Sequence, residues 1–228
     1  MILNIRNAIV IGRPFSIADL NNPQNALSTI DNKDKFRILI IDDEGFPLLE
    51  DFRDEGYSIR CVKHFEDLST ASEYPIVICD IKGVGTQYDP YKGGSFVLRE
   101  LKKKYPFKQY AAYSGFEYDL GVMKDLKDVL IIPKTTDAET WRSNFDELIK
   151  RASDPIANWK TIRTYLLGKD VPLIDVLKIE SMFVCAFLNK DEKMKDFPNK
   201  KDFPNLSQDI RAIINNMVAT CVLKMIGL

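Results

Sequence analysis

Short apolar runs alternate with amphipathic segments over the first two thirds of the chain, and this alternation predicts the fold class. The apolar runs, which we interpret as strands, lie at 37–41, 57–62, 75–79, 109–113 and 129–133. Continuous runs bounded by polar residues are typical of strands that are buried on both faces of a parallel sheet. The segments with helical spacing lie at 46–54, 65–71, 93–104, 118–127 and 138–152. Strands that alternate with helices predict an α/β fold, a doubly wound parallel sheet of five strands with right-handed crossovers.

The pattern changes after Asp154, where the strand signals stop and helical spacing takes over. Three helices are predicted, at 155–167, 172–189 and 206–226. The middle one is apolar on most sides, which indicates burial. The last carries an apolar stripe that has to be buried, either inside the chain or at the interface of a homodimer. The sequence is compatible with both arrangements. We therefore expect an all-α C-terminal region beside the α/β part.

The start of the chain is harder to interpret. Apolar residues with roughly helical spacing come first, at Ile2, Ile5, Ala8, Ile9 and Ile11. Turn-rich stretches follow at 21–25 and 31–35. We expect an extension that docks onto another part of the chain. The expected organisation is an N-terminal extension, an α/β domain and a helical C-terminal region, over 1–34, 35–152 and 153–228.

Composition and charge exclude several classes of function. The net charge is −1 and the sequence pI is about 6.0, so a nucleic-acid partner is not expected. No stretch has the ~18–20 consecutive apolar residues that a membrane helix needs, and the N-terminus lacks a signal-peptide pattern. The cysteines are isolated in apolar stretches, which fits a reduced cytoplasmic protein. The single histidine, His64, excludes a His-rich zinc site.

Polar residues of complementary type follow four of the five predicted strands. Asp42 and Asp43 end the first strand, Asp80 the third, Ser114 the fourth and Lys134 the fifth. In an open α/β sheet, ligands bind outside the carboxyl ends of the strands, at a topological switch point. We therefore expect these side chains to converge at one edge of the sheet.

The chemistry of this set predicts a divalent cation and phosphoryl transfer. Asp42, Asp43 and Asp80 would repel one another, and Mg²⁺ or Mn²⁺ would relieve that repulsion by taking their hard oxygens as ligands. A carboxylate can act as a nucleophile and become an aspartyl phosphate. Lys134 could then neutralise the phosphoryl charge, and Ser114 could donate a hydrogen bond to a phosphoryl oxygen.

The motifs around these residues resemble the receiver domain of two-component response regulators. They are Ile40-Ile-Asp-Asp-Glu, Ile76-Val-Ile-Cys-Asp, Gly94-Ser-Phe-Val-Leu-Arg-Glu-Leu, Tyr113-Ser-Gly and Ile132-Pro-Lys. The resemblance covers about 35–152, roughly half of the chain, and implies the flavodoxin-like receiver fold. It also implies that Asp80 is the phospho-acceptor.

Roles for five further residues are implied by the same resemblance. Asp42, Asp43 and the main-chain carbonyl of Lys82 would hold Mg²⁺. Ser114 matches the switch Ser/Thr of the family, and Lys134 matches its invariant lysine.

The chain departs from the family pattern at several positions. The loop between Asp80 and the next helix is longer than usual, and Val84 stands where the family has proline. Lys134 is followed by Thr135 rather than by proline, and Ile131 occupies the position of the switch aromatic. These differences lie beside the residues to which the resemblance gives roles, and the types of those residues match the family.

The resemblance implies a signalling protein rather than an enzyme that turns over a substrate. A sensor histidine kinase or phosphotransfer protein would phosphorylate Asp80 in a Mg²⁺-dependent reaction, and the helical region would relay the change to a protein partner that the sequence does not identify. Two alternatives stay open. One is a receiver-like scaffold that acts without phosphorylation. The other is a phosphohydrolase with an aspartate nucleophile, although Lys82 stands where the haloacid dehalogenase type has its second acid.

Overall fold

The computed structural model describes residues 2–5, 8–11, 14–21, 33–115, 122, 124, 126–191, 194 and 197–222. The chain begins with two strands, β1 (Ile2–Ile5) and β2 (Ala8–Ile11), which pair antiparallel. The helical interpretation of this segment is therefore wrong. Over so short a stretch, the spacing of the isoleucines fits the repeat of a helix and the repeat of a strand equally well. Side chains branched at Cβ then favour the extended backbone.

The main sheet has five parallel strands. They are β3 (Ile38–Ile41), β4 (Ile59–Val62), β5 (Ile76–Asp80), β6 (Gln109–Ser114) and β7 (Leu130–Pro133). Their order across the sheet is β4-β3-β5-β6-β7, which is the doubly wound order of flavodoxin-like folds. The predicted fold class is thereby confirmed, and each predicted strand is present within two residues of its expected start.

Six α-helices have bounds within the described part of the chain. They are α1 (Leu49–Asp54), α2 (Gly94–Lys104), α3 (Ala138–Ala152), α4 (Pro155–Gly168), α5 (Leu173–Leu188) and α6 (Gln208–Met217). Short 3₁₀ helices cover Ile17–Asn21 and Leu68–Ala71, and α6 continues as a π-helical turn over Val218–Val222. Three of the α-helices begin at capping side chains that accept backbone N–H bonds, namely Asp137, Asp154 and Ser207.

Parts of three predicted elements lie outside the described residues. Of the helix expected over 118–127, residues 122 and 124 are helical and 126–128 form a turn. The turn-rich stretches of the N-terminal extension and the last residues of the predicted helix 206–226 also fall there in part. Among the described residues, no helix combines the length and apolarity that crossing a membrane requires.

Successive residues of each central strand point into different cores. Ile38 and Ile40 of β3 pack with α1 and α3, whereas Leu39 and Ile41 pack with α2 on the other side of the sheet. The second core continues into the C-terminal helices, where it includes Trp159, Ile179, Phe183, Ile214 and Met217. The apolar stripe of α6 is thus buried within the chain, which confirms the internal interpretation over a dimer seam for these residues.

The segment after β2 docks onto α5, as the sequence led us to expect of the extension. The backbone N–H of Ile17 donates to Glu180 Oε1 at 3.1 Å, and that of Phe15 donates to Ser181 Oγ at 3.1 Å. Glu180 also accepts from Trp159 Nε1 of α4 at 2.7 Å. One buried carboxylate therefore joins the extension to both helices.

Candidate functional site

Three carboxylates meet at the carboxyl ends of β3 and β5. One oxygen from each of Asp42, Asp43 and Asp80 lies within 4.8 Å of the others. Asp42 and Asp80 are buried, with 2% and 1% of their surface exposed, whereas Asp43 is exposed. The neighbouring parallel strands β3 and β5 end side by side, which is why residues far apart in sequence meet there.

The carboxylate of Asp42 is held from three directions. Its Oδ1 accepts the backbone N–H groups of Glu44 and Gly45, at 2.9 and 3.1 Å. Its Oδ2 accepts a hydrogen bond from the hydroxyl of Tyr113 on β6. Burial and this bond to Asp42 raise the pKa of the Tyr113 hydroxyl, so it remains a donor at neutral pH.

Asp43 lies directly over the backbone of Gly83. A Cβ added at Gly83 would overlap the carboxylate of Asp43, and the φ of Gly83 is +89°, in the left-handed region that favours glycine. Both observations indicate that Asp43 occupies this place because residue 83 has no side chain.

Asp80 makes the most direct ion pair in the site. Lys134 Nζ lies 2.7 Å from Asp80 Oδ2, and the backbone N–H of Lys82 donates to Asp80 Oδ1 at 3.2 Å. Burial raises the pKa of the Asp80 carboxyl, and the charge of Asp42 adds to the rise, while the bonds from Lys134 and Lys82 oppose it.

Lys134 follows β7 and reaches back across the sheet edge. Burial alone would lower the pKa of its ammonium, but the hydrogen bond to Asp80 and the negative charges of Asp80, Asp42 and Glu44 raise it. Lys134 therefore stays charged at neutral pH. Its Nζ is also 3.9 Å from Glu44 Oε2 and 5.4 Å from the centre of the Tyr113 ring.

Ser114 is buried at the end of β6, next to the strand that supplies Lys134. The register pairs Ser114 with Pro133, and the Ser114 carbonyl accepts the backbone N–H of Lys134 at 3.1 Å. Ser114 ends β6 and so lies at the same sheet edge as the carboxylates, where the sequence predicts it.

The helix after β5 starts immediately behind Asp80. The Gly94 N–H donates to the Ile81 carbonyl at 3.0 Å, and a Cβ at Gly94 would overlap the Asp80 carbonyl. The longer loop between them folds into turns and is held by Tyr88, whose hydroxyl donates to the Glu66 carbonyl.

Sequence reasoning missed two residues that shape the site. Tyr113 appeared only as part of a motif, and Gly83 only as one of several loop glycines. The sequence does place Gly83 close to the site, because it follows Asp80 by three residues. Tyr113 gave no such signal, because its bond to Asp42 crosses the intervening strand β5 and depends on the register of β3, β5 and β6.

The residues present fit a small divalent cation. Carboxylate oxygens are hard ligands of the kind that Mg²⁺ and Mn²⁺ prefer, and three of them converge within 4.8 Å. Lys134 neutralises part of the charge on Asp80, so the site can bind both a cation and the oxygens of an anionic group.

Comparisons with known proteins found similarities among solved structures alone. No protein-family model matches the chain, and no curated protein matches it. Among solved structures, the chain is similar to a response regulator receiver domain protein from Clostridium thermocellum, at 23% identity over 51% of this chain and 95% of that one, with a TM-score of 0.41. It is also similar to a Burkholderia pseudomallei response regulator solved with a phosphorylated aspartic acid, calcium ion and citrate, at 16% identity, 62% and 89% coverage and a TM-score of 0.38.

A third similar structure extends further along the chain. It is full-length FixJ from B. japonicum, at 14% identity over 85% of this chain and 95% of that one, with a TM-score of 0.42.

Proposed function

We propose that this chain is a response-regulator-like signalling protein whose Asp80 accepts a phosphoryl group in a Mg²⁺-dependent reaction. The observation that carries the proposal is the 2.7 Å contact between Asp80 and Lys134 beside two further carboxylates. A buried acid with a cation on one oxygen and metal ligands beside it is suited to forming and stabilising an acyl phosphate.

In the proposed reaction, a carboxylate oxygen of Asp80 attacks the phosphorus of a donor. The bond between phosphorus and the donor breaks, the donor leaves with that electron pair, and an acyl phosphate remains on Asp80. Lys134 would shift from the Asp80 oxygen to a phosphoryl oxygen, and the Ser114 hydroxyl would donate to another. Both residues thereby stabilise the charge that the transfer brings into the site.

Asp42, Asp43 and the main-chain carbonyl of Lys82 would hold the cation beside Asp80. Mg²⁺ there supplies positive charge that neutralises the phosphoryl oxygens. Asp42 is already held by backbone N–H groups and by Tyr113, so it needs little reorganisation to act as a ligand.

The rest of the proposal concerns partners and organisation. The donor would be a sensor histidine kinase or a phosphotransfer protein, and the partner that receives the signal is a protein. Residues 35–152 would form the receiver domain, with 1–34 as an extension and 153–228 as the helical output or dimerisation region. We place the protein in the cytoplasm, where such kinases deliver phosphate.

The test is intact mass spectrometry after incubation with acetyl phosphate and MgCl₂. Wild type should gain one phosphoryl group that hydroxylamine removes, as an acyl phosphate requires. Asp80→Asn should gain none, while Asp51→Asn, which changes an exposed acid of α1, should behave like wild type. The reaction should stop when EDTA removes Mg²⁺.

Two outcomes would contradict the proposal. Modification of a Ser or Thr would mean that Asp80 is not the acceptor. An unmodified wild type that binds Mg²⁺ normally, with both acetyl phosphate and a phosphorylated histidine donor, would favour a scaffold that acts without phosphorylation.

A further inference from the structure

We propose that Tyr113 is a positioning residue that makes the candidate metal site select Mg²⁺ over Ca²⁺, by occupying one oxygen lone pair of Asp42. The inference rests on the proposed function, because it concerns the same metal site. Tyr113 is 3% exposed, and its hydroxyl donates to Asp42 Oδ2 from the far side of β5.

The Asp42 carboxylate can accept a limited number of bonds. An ionised carboxylate offers roughly four lone-pair sites, two on each oxygen. On Oδ1, both are used by the N–H groups of Glu44 and Gly45. On Oδ2, one is used by Tyr113. A single lone pair remains, so Asp42 can ligate a cation through one oxygen and cannot chelate it through both.

The Tyr113 hydroxyl is fixed in this position by the packing of its ring. The ring meets Trp141 and Phe46 edge-on, with centroids 5.5 and 6.3 Å away. Trp141 and Phe46 also pack against each other, at 5.0 Å. Because the ring is enclosed by these neighbours, the hydroxyl cannot swing aside to release the second oxygen of Asp42.

The two cations respond differently to this restriction. Ca²⁺ takes roughly six to eight oxygens and often binds a carboxylate through both of them. Mg²⁺ takes an octahedron of about six, usually with one oxygen from each of one or two carboxylates and with waters at the other positions. When Asp42 has one free lone pair, Ca²⁺ loses the second carboxylate oxygen as a ligand. Mg²⁺ loses nothing, because it uses one oxygen of the carboxylate.

The experiment compares Mg²⁺ and Ca²⁺ titrations of full-length wild type and Tyr113→Phe, followed by tryptophan fluorescence. Trp141 reports binding because it touches Tyr113. Phenylalanine keeps the ring contacts and removes only the hydroxyl. Loss of a hydrogen-bonding partner to a ligand typically lowers metal affinity about 10-fold or more. Both ions lose this partner, but Ca²⁺ can recover affinity by taking the lone pair of Asp42 Oδ2 that the hydroxyl releases. We therefore expect Mg²⁺ affinity to fall about 10-fold while Ca²⁺ affinity stays unchanged or rises, so the selectivity for Mg²⁺ over Ca²⁺ falls by about 10-fold.

Tyr110→Phe is the matched control. Tyr110 lies on the same strand, is buried in the opposite core, and donates its hydroxyl to the carbonyls of Leu101 and Tyr105. This variant also loses a buried hydrogen-bonded hydroxyl, so it carries a similar stability cost. We expect it to keep the wild-type ratio of Mg²⁺ to Ca²⁺ affinity.

Failure of the inference and failure of the proposed metal site give different results. If Tyr113→Phe keeps the wild-type ratio while Asp43→Ala abolishes Mg²⁺ binding, the metal site stands and the role of Tyr113 is wrong. A wild type that binds Ca²⁺ more tightly than Mg²⁺ at the Asp43-dependent site overturns the inference without any variant of Tyr113. A wild type that binds neither ion overturns both.

Discussion

At the scale of single residues, the site depends on Gly83 as much as on its acids. Gly83 has a φ of +89°, and the carboxylate of Asp43 occupies the space that a side chain at position 83 would take. A methyl group there must displace Asp43. Because Asp43 is one of three converging carboxylates, its displacement removes a proposed metal ligand.

We predict that Gly83→Ala lowers Mg²⁺ affinity about 10-fold or more, measured by the same fluorescence titration. Gly56→Ala is the control, since Gly56 has a φ of +92° and nothing within 4 Å of its added Cβ. Both variants carry the left-handed backbone strain, about 1–2 kcal/mol. Equal metal affinity in the two variants would show that Asp43 does not need the space over Gly83.

At the scale of elements, Lys108 joins the start of β6 to the end of the 3₁₀ helix Leu68–Ala71. Its Nζ is buried and donates to the carbonyls of Ala71, Ser72 and Tyr74, at 2.6, 2.8 and 2.8 Å. Burial lowers the pKa of the Lys108 ammonium to about 7, against a weak opposing influence of Cys221. One side chain thus caps two carbonyls at the end of the helix, those of Ala71 and Ser72, and binds a third, that of Tyr74, in the segment leading to β5.

The lowered pKa makes stability depend on pH in a definite direction. In the unfolded chain Lys108 titrates at its ordinary value of 10.5, and in the folded chain at about 7. Between these values the unfolded state binds more protons, so the free energy of unfolding rises as pH increases. Below pH 7 the dependence on this group ends, because both states are protonated.

We predict that wild type gains unfolding free energy relative to Lys108→Met from pH 7 to pH 10, by up to about 1.4 kcal/mol per pH unit. Urea denaturation at a series of pH values measures the difference. Lys104→Met, which removes an exposed lysine at the end of α2, should follow wild type at every pH. Parallel curves for wild type and Lys108→Met would mean that Lys108 titrates normally.

At the scale of the whole molecule, the C-terminal helices belong to the core of the sheet. Met217 and Cys221 lie in the same buried cluster as Leu101 of α2 and Tyr110 of β6. A hydrogen bond also joins the C-terminal helices to the α/β part, since Asn216 Nδ2 of α6 donates to the Ser72 carbonyl at 3.0 Å. Removing these helices would uncover apolar surface on one face of the α/β part.

We predict that the full chain unfolds in one cooperative transition. A chain ending at residue 154 should melt at a lower temperature and bind a dye specific for exposed apolar surface. Calorimetry and dye fluorescence on both chains measure this. A shortened chain with the melting temperature of wild type, no dye binding and normal phosphorylation would instead show that the two parts are separable units.

Much of the site could be predicted from the sequence, because its residues directly follow the apolar runs that form the strands. Each apolar run is a strand, and parallel strands place their carboxyl ends at one edge. The sequence therefore predicts that Asp42, Asp80 and Lys134 lie at one sheet edge, and the structure brings them together there. Their roles in phosphoryl transfer stay predictions until the phosphorylation experiment is done.

Local pattern alone determined the five strands, the helices that follow Asp137 and Asp154, and the order of acids along the chain. Apolar periodicity acts over a few residues, so one sequence suffices to find it. Apolar periodicity gave the wrong element at residues 2–11, where the helical and the strand repeat fit equally well. Only the tertiary structure decided that Tyr113 bonds to Asp42 across β5, because such contacts depend on strand register and packing between residues far apart in the chain.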